Sequence, residues 1–573
     1  MSKLRPLTLD LAENARYSLH FLSHNLDPEY KWYTCHKTFY DADLPYHQHT
    51  LWDHCETPGR YLYGIVFARQ LVGPDEIKDT EKKIKRNVYR QFDCGDGLCH
   101  RPPLRYFGPY PEFPPKDAIP VKHDADMWDN RSVLMGLFLT GYTEGDKKAM
   151  QYAKGMVKAF KKVSIRRGDE VYLTTDWIKP GFKPSKKDAP LGGEHLYGWI
   201  TPLFNFYKLT GDKEALALAK GVCNFTVRHP ELDDWGIFKK KVNIHSILFC
   251  LAGILRVATH TGNKKHIVWC KKMYDSIVKH WGTSFGWVAE HQNDSRLDWP
   301  GARQSGETCT TADFIDTAIR LALAGFPQYW NHAERYVRNY LQEAQLKDTS
   351  WMKPGVKKKR SHRKFVYGDI PDMVKGCYVG WGAPNDFVNP HARKSGLYAL
   401  QHCCGPHGAM ANFLVWHHII TKNNKGLSVN FAISRDSKWA TVDSYQPYQG
   451  RVNVTMKVDD NLQIRVPDWV QKNKVKLNID GVAKKAVIGK DNFVKVGKVK
   501  AGAKVSVQYP LRKMKLTEKF CGWKFTTEWR GDTVISIDPP GKRAPFFKRK
   551  HLKTDKCPMG EIERYYPENE LDW

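Results

Sequence analysis

Leu203-Phe204-Asn205-Phe206-Tyr207-Lys208-Leu209, then Thr210-Gly211-Asp212, then the run from Glu214 to Val222, reads as a helix, a tight turn and a second helix. The glycine suits the left-handed position that ends a helix, and the aspartate can cap the free N–H groups that open the next. The same grammar recurs from Leu134 through Gly145-Asp146 to Phe160. It recurs again from Leu251 to Ala258, through Thr261-Gly262-Asn263, to His266–Ile277. The turn glycines at 145, 211 and 262 are 66 and 51 residues apart. Helical hairpins at that period predict a closed ring of paired helices, an (α/α)6 toroid, over residues 1–424. A helical solenoid is the rival built from the same hairpin, though its repeats are shorter.

The texture changes near Asn424-Lys425-Gly426. Beyond it come alternating runs of β type: Leu427–Phe431, Arg451–Met456, Leu462–Val466, Val475–Ile479 and Lys504–Tyr509, punctuated by Pro467, Asp480-Gly481 and Ala501-Gly502. These predict a β-sandwich over residues 425–540. Residues 541–573 are basic and weakly patterned, and are expected to form a tail packed on the sandwich. The fold class is therefore α + β multidomain.

The chain has 573 residues and is 41% hydrophobic, enough for a sizeable core, and 13% aromatic. Aromatic richness suits proteins that stack on sugar faces; a large aromatic core accounts for it equally well. Its net charge of +29 favours anionic partners such as nucleic acid, anionic lipid or an acidic or sulfated polysaccharide. The densest basic runs, Lys357–Lys364 and Lys542–Lys553, read as solvated loops, the first also as a rim for substrate. No nucleic-acid-binding motif accompanies either, so no nucleic-acid partner is expected. No run of about 18 apolar residues predicts a membrane span, and Met1–Asn14 lacks the apolar core of a signal peptide. The sequence as written reads as cytoplasmic, with a removed leader left open.

Two short motifs carry the chemistry: Gly306-Glu307-Thr308-Cys309 and His402-Cys403-Cys404-Gly405. Together they supply one carboxylate and three thiols, a donor set suited to a four-coordinate zinc ion. Each precedes an apolar helical run, so both are expected at helix N-termini, where the helix dipole lowers a thiol pKa. The spacing lacks a Cys-x-x-Cys signature, and a capping carboxylate with buried cysteines satisfies it too. The 13 cysteines are odd in number and irregular in spacing, which argues against a disulfide framework. Cys94, Cys99 and His100 form a weaker second metal clip.

On these two motifs the chain resembles the β-L-arabinofuranosidases of glycoside hydrolase family 127 and close relatives. The layout of a helical toroid followed by β-sandwich modules is similar, and Val466-Pro467-Asp468-Trp469 looks like a strand-ending pattern of that family. The resemblance implies zinc held by Glu307, Cys309, Cys403 and Cys404, with Cys403 as the nucleophile of a retaining, two-step hydrolysis. It implies Glu290, seventeen residues before Glu307, as general acid/base, with Asp298 as the fallback; the stretch Asn293–Gln304 departs from the family pattern. His195, in Gly193-Glu194-His195-Leu196-Tyr197, and His245, in Asn243-Ile244-His245-Ser246, are the implied substrate-binding histidines. His47, His49 and His54, with Trp52 and Asp53, are further candidates for the same pocket.

The expected function is an exo-acting hydrolase releasing β-L-arabinofuranose or a related terminal sugar from an oligo- or polysaccharide. Two alternatives stand beside it. One is a hydrolase or lyase on an acidic or sulfated polysaccharide; the lyase needs no thiolate. The other is a non-catalytic polyanion-binding protein with structural zinc.

Overall fold

The computed structural model describes residues 4–74, 77–101, 123–230, 242–292, 305–362, 365–389, 399–520 and 523–573. Among the described residues, twelve helices of eight or more residues dominate the N-terminal two-thirds: α1 (Leu11–His24), α2 (Glu56–Val72), α3 (Lys78–Arg90), α4 (Met127–Thr143), α5 (Lys147–Val163), α6 (Ile200–Thr210), α7 (Lys213–Arg228), α8 (Ile244–Thr261), α9 (Lys264–Trp281), α10 (Thr308–Leu323), α11 (Tyr329–Tyr336) and α12 (Cys404–Ile419). The three turns read from the sequence are present. Gly145, Gly211 and Gly262 have φ of 69°, 76° and 70°. The side chains of Asp146, Asp212 and Asn263 accept from the first N–H groups of α5, α7 and α9.

The even-numbered helices pack in a cycle: α2 on α4, α4 on α6, α6 on α8, α8 on α10, α10 on α12, and α12 back on α2. The odd-numbered ones lie against them from outside, α5 on α4, α7 on α6, α9 on α8 and α11 on α10. Burial follows this division. On α8 every residue from Ile244 to Ala258 is buried, whereas α9 buries only Cys270, Met273, Tyr274 and Ile277. Helix α8 is long and apolar enough to cross a membrane by composition alone. Its apolarity is accounted for by neighbours on all sides. The tightest crossing, α2 on α4, runs through two glycines. A Cβ on Gly59 would stand 2.6 Å from the backbone of Ser132 and Val133, and one on Gly136 would stand 2.5 Å from the Gly59 carbonyl oxygen.

A five-stranded sheet lies within this helical region, built from Lys37–Phe39, Tyr46–Gln48, Arg360–His362, Phe365–Tyr367 and Ala399–Gln401. The sequence did not announce it, because three-residue strands are too short to show an alternating period. Its last strand leads directly into Cys403.

From Ile420 onward the chain is strand-rich. A four-stranded sheet (Ile420–Asn423, Gly426–Val429, Asp460–Arg465, Phe493–Val499) contains one parallel pairing, between its second and third strands. A six-stranded sheet includes Ala440–Ser444, Arg451–Met456 and Lys504–Gln508, and a three-stranded meander spans Lys513–Phe520, Trp523–Arg530 and Thr533–Asp538. Along Arg451–Met456 the side chains alternate, burying Val452, Val454 and Met456. Arg335 on α11 ties the two regions together through Asp532 at 2.8 Å and Asp468 at 2.6 Å.

The last segment touches the meander, where Lys553 meets Glu528 at 2.7 Å, and then returns to the helices. Asp386 accepts from the backbone N–H groups of Lys542, Arg543 and Ala544. Trp573 is buried against Phe67 of α2 and Phe138 of α4, at centroid distances of 5.0 and 6.1 Å.

Two predictions follow from the packing. Gly136→Val should force α2 and α4 apart and destabilise the protein by about 1–3 kcal/mol, read as a shift in the denaturant midpoint. The second concerns acid. Burial depresses His54 to about 3 and His332 to about 4 (the latter also through the Arg335 charge), and it holds His418 well below the ordinary value. Unfolded, these histidines take up a proton near 6.5, so the unfolded chain binds more protons than the folded one between there and about pH 4. Stability should therefore fall as pH drops through that window. His49, which Cys35, Asp27 and Asp53 hold protonated against its burial, opposes the trend. A melting temperature flat from pH 6.5 to 4 would contradict this account.

Candidate active site

The N-terminal turns of the inner helices meet around one centre. Trp128 of α4 donates its indole N–H to Glu56 of α2 at 3.2 Å. Ser246 of α8 donates to Glu194, in the single turn Glu194–Tyr197 before α6, at 2.5 Å. Arg60 of α2 reaches the opening turns of α8, α10 and α12. Five inner helices thus bring their N-terminal turns together, with the turn before α6 beside them, and their dipoles favour negative charge there.

Glu307 is the cap residue of α10 and Cys309 lies in its first turn; Cys403 and Cys404 open α12 in the same way. The four side chains are buried, and their donor atoms all lie within 4.8 Å of one another. Cys309 Sγ is 3.6 Å from Cys404 Sγ, and Glu307 Oε1 is 3.8 Å from Cys403 Sγ and 3.7 Å from Cys404 Sγ. Tetrahedral bonds of about 2.3 Å would put neighbouring sulfurs about 3.8 Å apart, so these three distances are compatible with a shared metal ion. Two glycines permit the approach. A Cβ on Gly306 would fall 2.4 Å from the Trp287 indole nitrogen, and one on Gly405 would fall 2.3 Å from the Phe21 ring.

The electrostatics also suit a cation. Burial, then Cys403 and Glu290, push the Glu307 carboxyl well above its usual range, and burial does the same to the Cys309 and Cys404 thiols. Cys403 is the exception. Hydrogen bonds from the Cys309 and Cys404 thiols hold it well below the ordinary thiol value against its burial, helped by His36 and Arg60. Cys403 is also the most accessible of the three thiols, at 5% exposure against 0% for Cys309 and Cys404.

Glu290 stands beside this cluster on a neighbouring extended segment. Its N–H donates to the Ser305 carbonyl and its carbonyl accepts from Ile244, both at 2.9 Å. Ala289 pairs with Gly306, and Gly306 in turn with Gly382. Backbone pairing thus sets Glu290 alongside Glu307 and the start of α8.

One helical turn below the cluster lies a second buried group. Asp313 of α10 accepts from His245 Nδ1 and, at 2.7 Å, from His407 Nε2 of α12. Tyr63 donates to His407 Nδ1 at 3.0 Å, and Arg60 to His245 Nε2 at 3.4 Å. Burial depresses His245 to about 4 despite Asp313, and lowers His407 further, so both rings are neutral. Arg60 is itself paired with Glu56 at 2.7 Å and donates to Cys309 Sγ at 3.6 Å. Sequence reading missed Arg60, Asp313 and His407. A signal was present: Asp313 and His407 follow Cys309 and Cys403 by four residues, and Arg60 follows Glu56 by four, the spacing that stacks side chains on one helix face.

The other candidates fall in different places. His195 is half-buried, its Nδ1 3.1 Å from Asp126, the α4 cap, and its Nε2 3.7 Å from Asp176. Asp126, Glu194 and Asp176 raise its pKa in spite of burial. The histidine cluster divides. His49 is buried between Asp27 (2.9 Å) and Asp53 (3.0 Å), and His54 is buried and neutral. His47 bonds Thr38 at 2.7 Å, and Thr38 bonds His402, the neighbour of Cys403, at 2.5 Å. Trp52 is 39% exposed, with His36 at 5.0 Å between ring centroids. Asp298 lies outside the described residues. Cys99 faces Cys55 at 3.4 Å and is separate from Cys94 and His100.

Solved structures share this fold. A family 127 β-L-arabinofuranosidase from Geobacillus stearothermophilus T6 aligns over 91% of this chain and 80% of its own, with a TM-score of 0.59 and 12% identity. A second family 127 β-arabinofuranosidase aligns over the same shares at a TM-score of 0.59 and 15% identity. A protein described as a glycoside hydrolase aligns over 93% and 81%, with a TM-score of 0.57 and 11% identity. No family model and no curated protein matches the sequence. By fold, the chain resembles the glycoside hydrolases of family 127.

Asp313→Asn should leave one buried histidine N–H without an acceptor. A loss of roughly 1–3 kcal/mol is expected in denaturant unfolding. Unchanged stability would mean that the two histidines do not depend on this carboxylate.

Proposed function

We propose that the protein is a retaining, exo-acting glycoside hydrolase with a zinc-bound cysteine nucleophile, built on an (α/α)6 toroid (residues 1–424) with a β-sandwich (425–540) and a basic C-terminal segment (541–573). The observation that carries this reading is the convergence of Glu307, Cys309, Cys403 and Cys404 within 4.8 Å at the openings of two adjacent inner helices. Those four residues would hold the ion. When bound, zinc supplies positive charge that keeps the thiols deprotonated.

The protein's own groups then divide the work. The terminal sugar binds where the N-terminal turns of the inner helices meet, beside Trp128, His195 and Glu194. Cys403 Sγ attacks the anomeric carbon while Glu290 gives its proton to the departing glycosidic oxygen. A thioglycosyl bond forms as the glycosidic bond breaks. Glu290, now a carboxylate, takes a proton from water, whose oxygen displaces Sγ and restores the starting configuration. His245, neutral and buried, is fixed by Asp313 at Nδ1 and Arg60 at Nε2. Its role in this scheme is to hold the wall of the pocket and the Arg60 guanidinium.

The family resemblance makes β-L-arabinofuranose the first sugar to test. Its support is the fold likeness to the family 127 β-L-arabinofuranosidase, together with the Gly-Glu-Thr-Cys and Cys-Cys motifs. The +29 charge adds an oligo- or polysaccharide with acidic groups as a variant substrate.

Arylglycosides should be turned over by the wild type, with p-nitrophenyl β-L-arabinofuranoside first. Cys403→Ala should lower kcat by at least about 10³-fold. Glu290→Gln should slow turnover by about 10²–10⁴-fold, least for the best leaving groups, because acid assistance matters least there. Full activity in Cys403→Ala would remove the nucleophile from the scheme; zinc without turnover of any glycoside would leave a structural metal.

A further inference from the structure

A second group of side chains able to ligate a metal lies apart from the thiol cluster, where the loop after α3 meets the segment entering α4. Cys94 Sγ is 2.7 Å from His123 Nε2, and the donor atoms of Cys94, His100 and His123 lie within 4.8 Å of one another. Asp93 Oδ1 stands 3.3 Å from His123 Nε2 and 3.5 Å from Cys94 Sγ. His100 is fully buried. Its Nε2 donates to Asp96 Oδ2 at 2.8 Å, and its Nδ1 has no hydrogen-bond partner among the described residues. A buried ring nitrogen left bare, with the opposite N–H fixed by a carboxylate, is how a metal-ligating histidine is oriented.

We propose that Cys94, His100 and His123 form a second, structural zinc site, independent of the thiol cluster, with the neighbouring Asp93 carboxylate turning in as the fourth ligand when the ion binds. One thiolate, two imidazoles and that carboxylate make a set of borderline softness, which suits zinc and disfavours magnesium or calcium. Burial with Asp93 and Asp96 pushes the Cys94 thiol up to about 11, so binding would release its proton. The location gives the site a purpose. Arg101, next to His100, donates its backbone N–H to Asp124 at 2.9 Å and its guanidinium to Asp126 at 3.1 Å and Asp129 at 2.7 Å. Asp126 is the carboxylate that holds His195. A metal clasp at Cys94 and His123 would tie the segment after α3 to the one entering α4 and so brace the Arg101–Asp126 contact.

The test is zinc content of the full-length protein, purified reduced with any affinity tag removed. Two equivalents per chain are expected. The Cys94→Ser/His123→Ala variant should hold one, and a Cys309→Ser/Cys404→Ser variant should separately hold one. Cys94→Ser alone, at a half-buried position, guards against a folding defect, with circular dichroism as the check. In the cobalt(II)-substituted protein it should remove part of the sulfur-to-metal absorption. The inference fails if the Cys94 and His123 variants, folded, keep the wild-type zinc content. A single wild-type equivalent that follows Cys94 and His123 would uphold this site and remove the metal from the thiol cluster.

Discussion

The structure depends on bringing one carboxylate and three thiols together in a dry place. Such groups repel one another once ionised and resist ionisation when buried, so the fold has to supply compensating charge. It does so in two ways. The inner helices bring their positive ends to the same centre, and Arg60 projects from α2 into the middle, in contact with Cys309, His245 and His407. The glycines at 306 and 405 are the steric consequence, because the segments bearing the cluster must pack closely against Trp287 and Phe21.

Charge is also partitioned by depth. At the cluster, Cys403 is the thiol most readily ionised and the most accessible of the three. One turn deeper, the His245–Asp313–His407 group keeps both imidazoles neutral, with Tyr63 and Arg60 as their remaining partners. Neutral rings next to Arg60 avoid a further buried positive charge. Farther from the cluster, the His195 imidazole is held above its ordinary pKa by Asp126, Glu194 and Asp176 in spite of burial. The same fold thus pushes its histidines in opposite directions, according to whether a carboxylate or burial dominates.

The C-terminal strands and the tail bear on this site through residues packed behind it, as where Phe520 meets Trp287 at 5.0 Å between ring centroids. Arg335 and Asp532 join α11 to the meander, and Trp573 wedges against α2 and α4 from the side opposite their N-terminal turns. The strand-rich region therefore stiffens the ring that carries the site and contributes no ligand to the cluster.

By itself the sequence determined the elements whose signals are local. The Gly-Asp and Gly-Asn turns, the helices around them, the alternating strands after residue 425 and the start of both cysteine motifs at helix N-termini all rest on period and on capping chemistry. The five-stranded sheet was invisible because its strands are too short to have a period. Tertiary structure alone decided which distant groups meet: Arg60 with the thiols, Asp313 with two histidines, and Cys94 with His123 in place of Cys99. It also divided the histidines near residue 50 between a buried ion-pair network and the neighbourhood of His402. Those outcomes depend on which helix faces are turned inward and on what burial leaves charged, and neither is encoded in the spacing of residues along the chain.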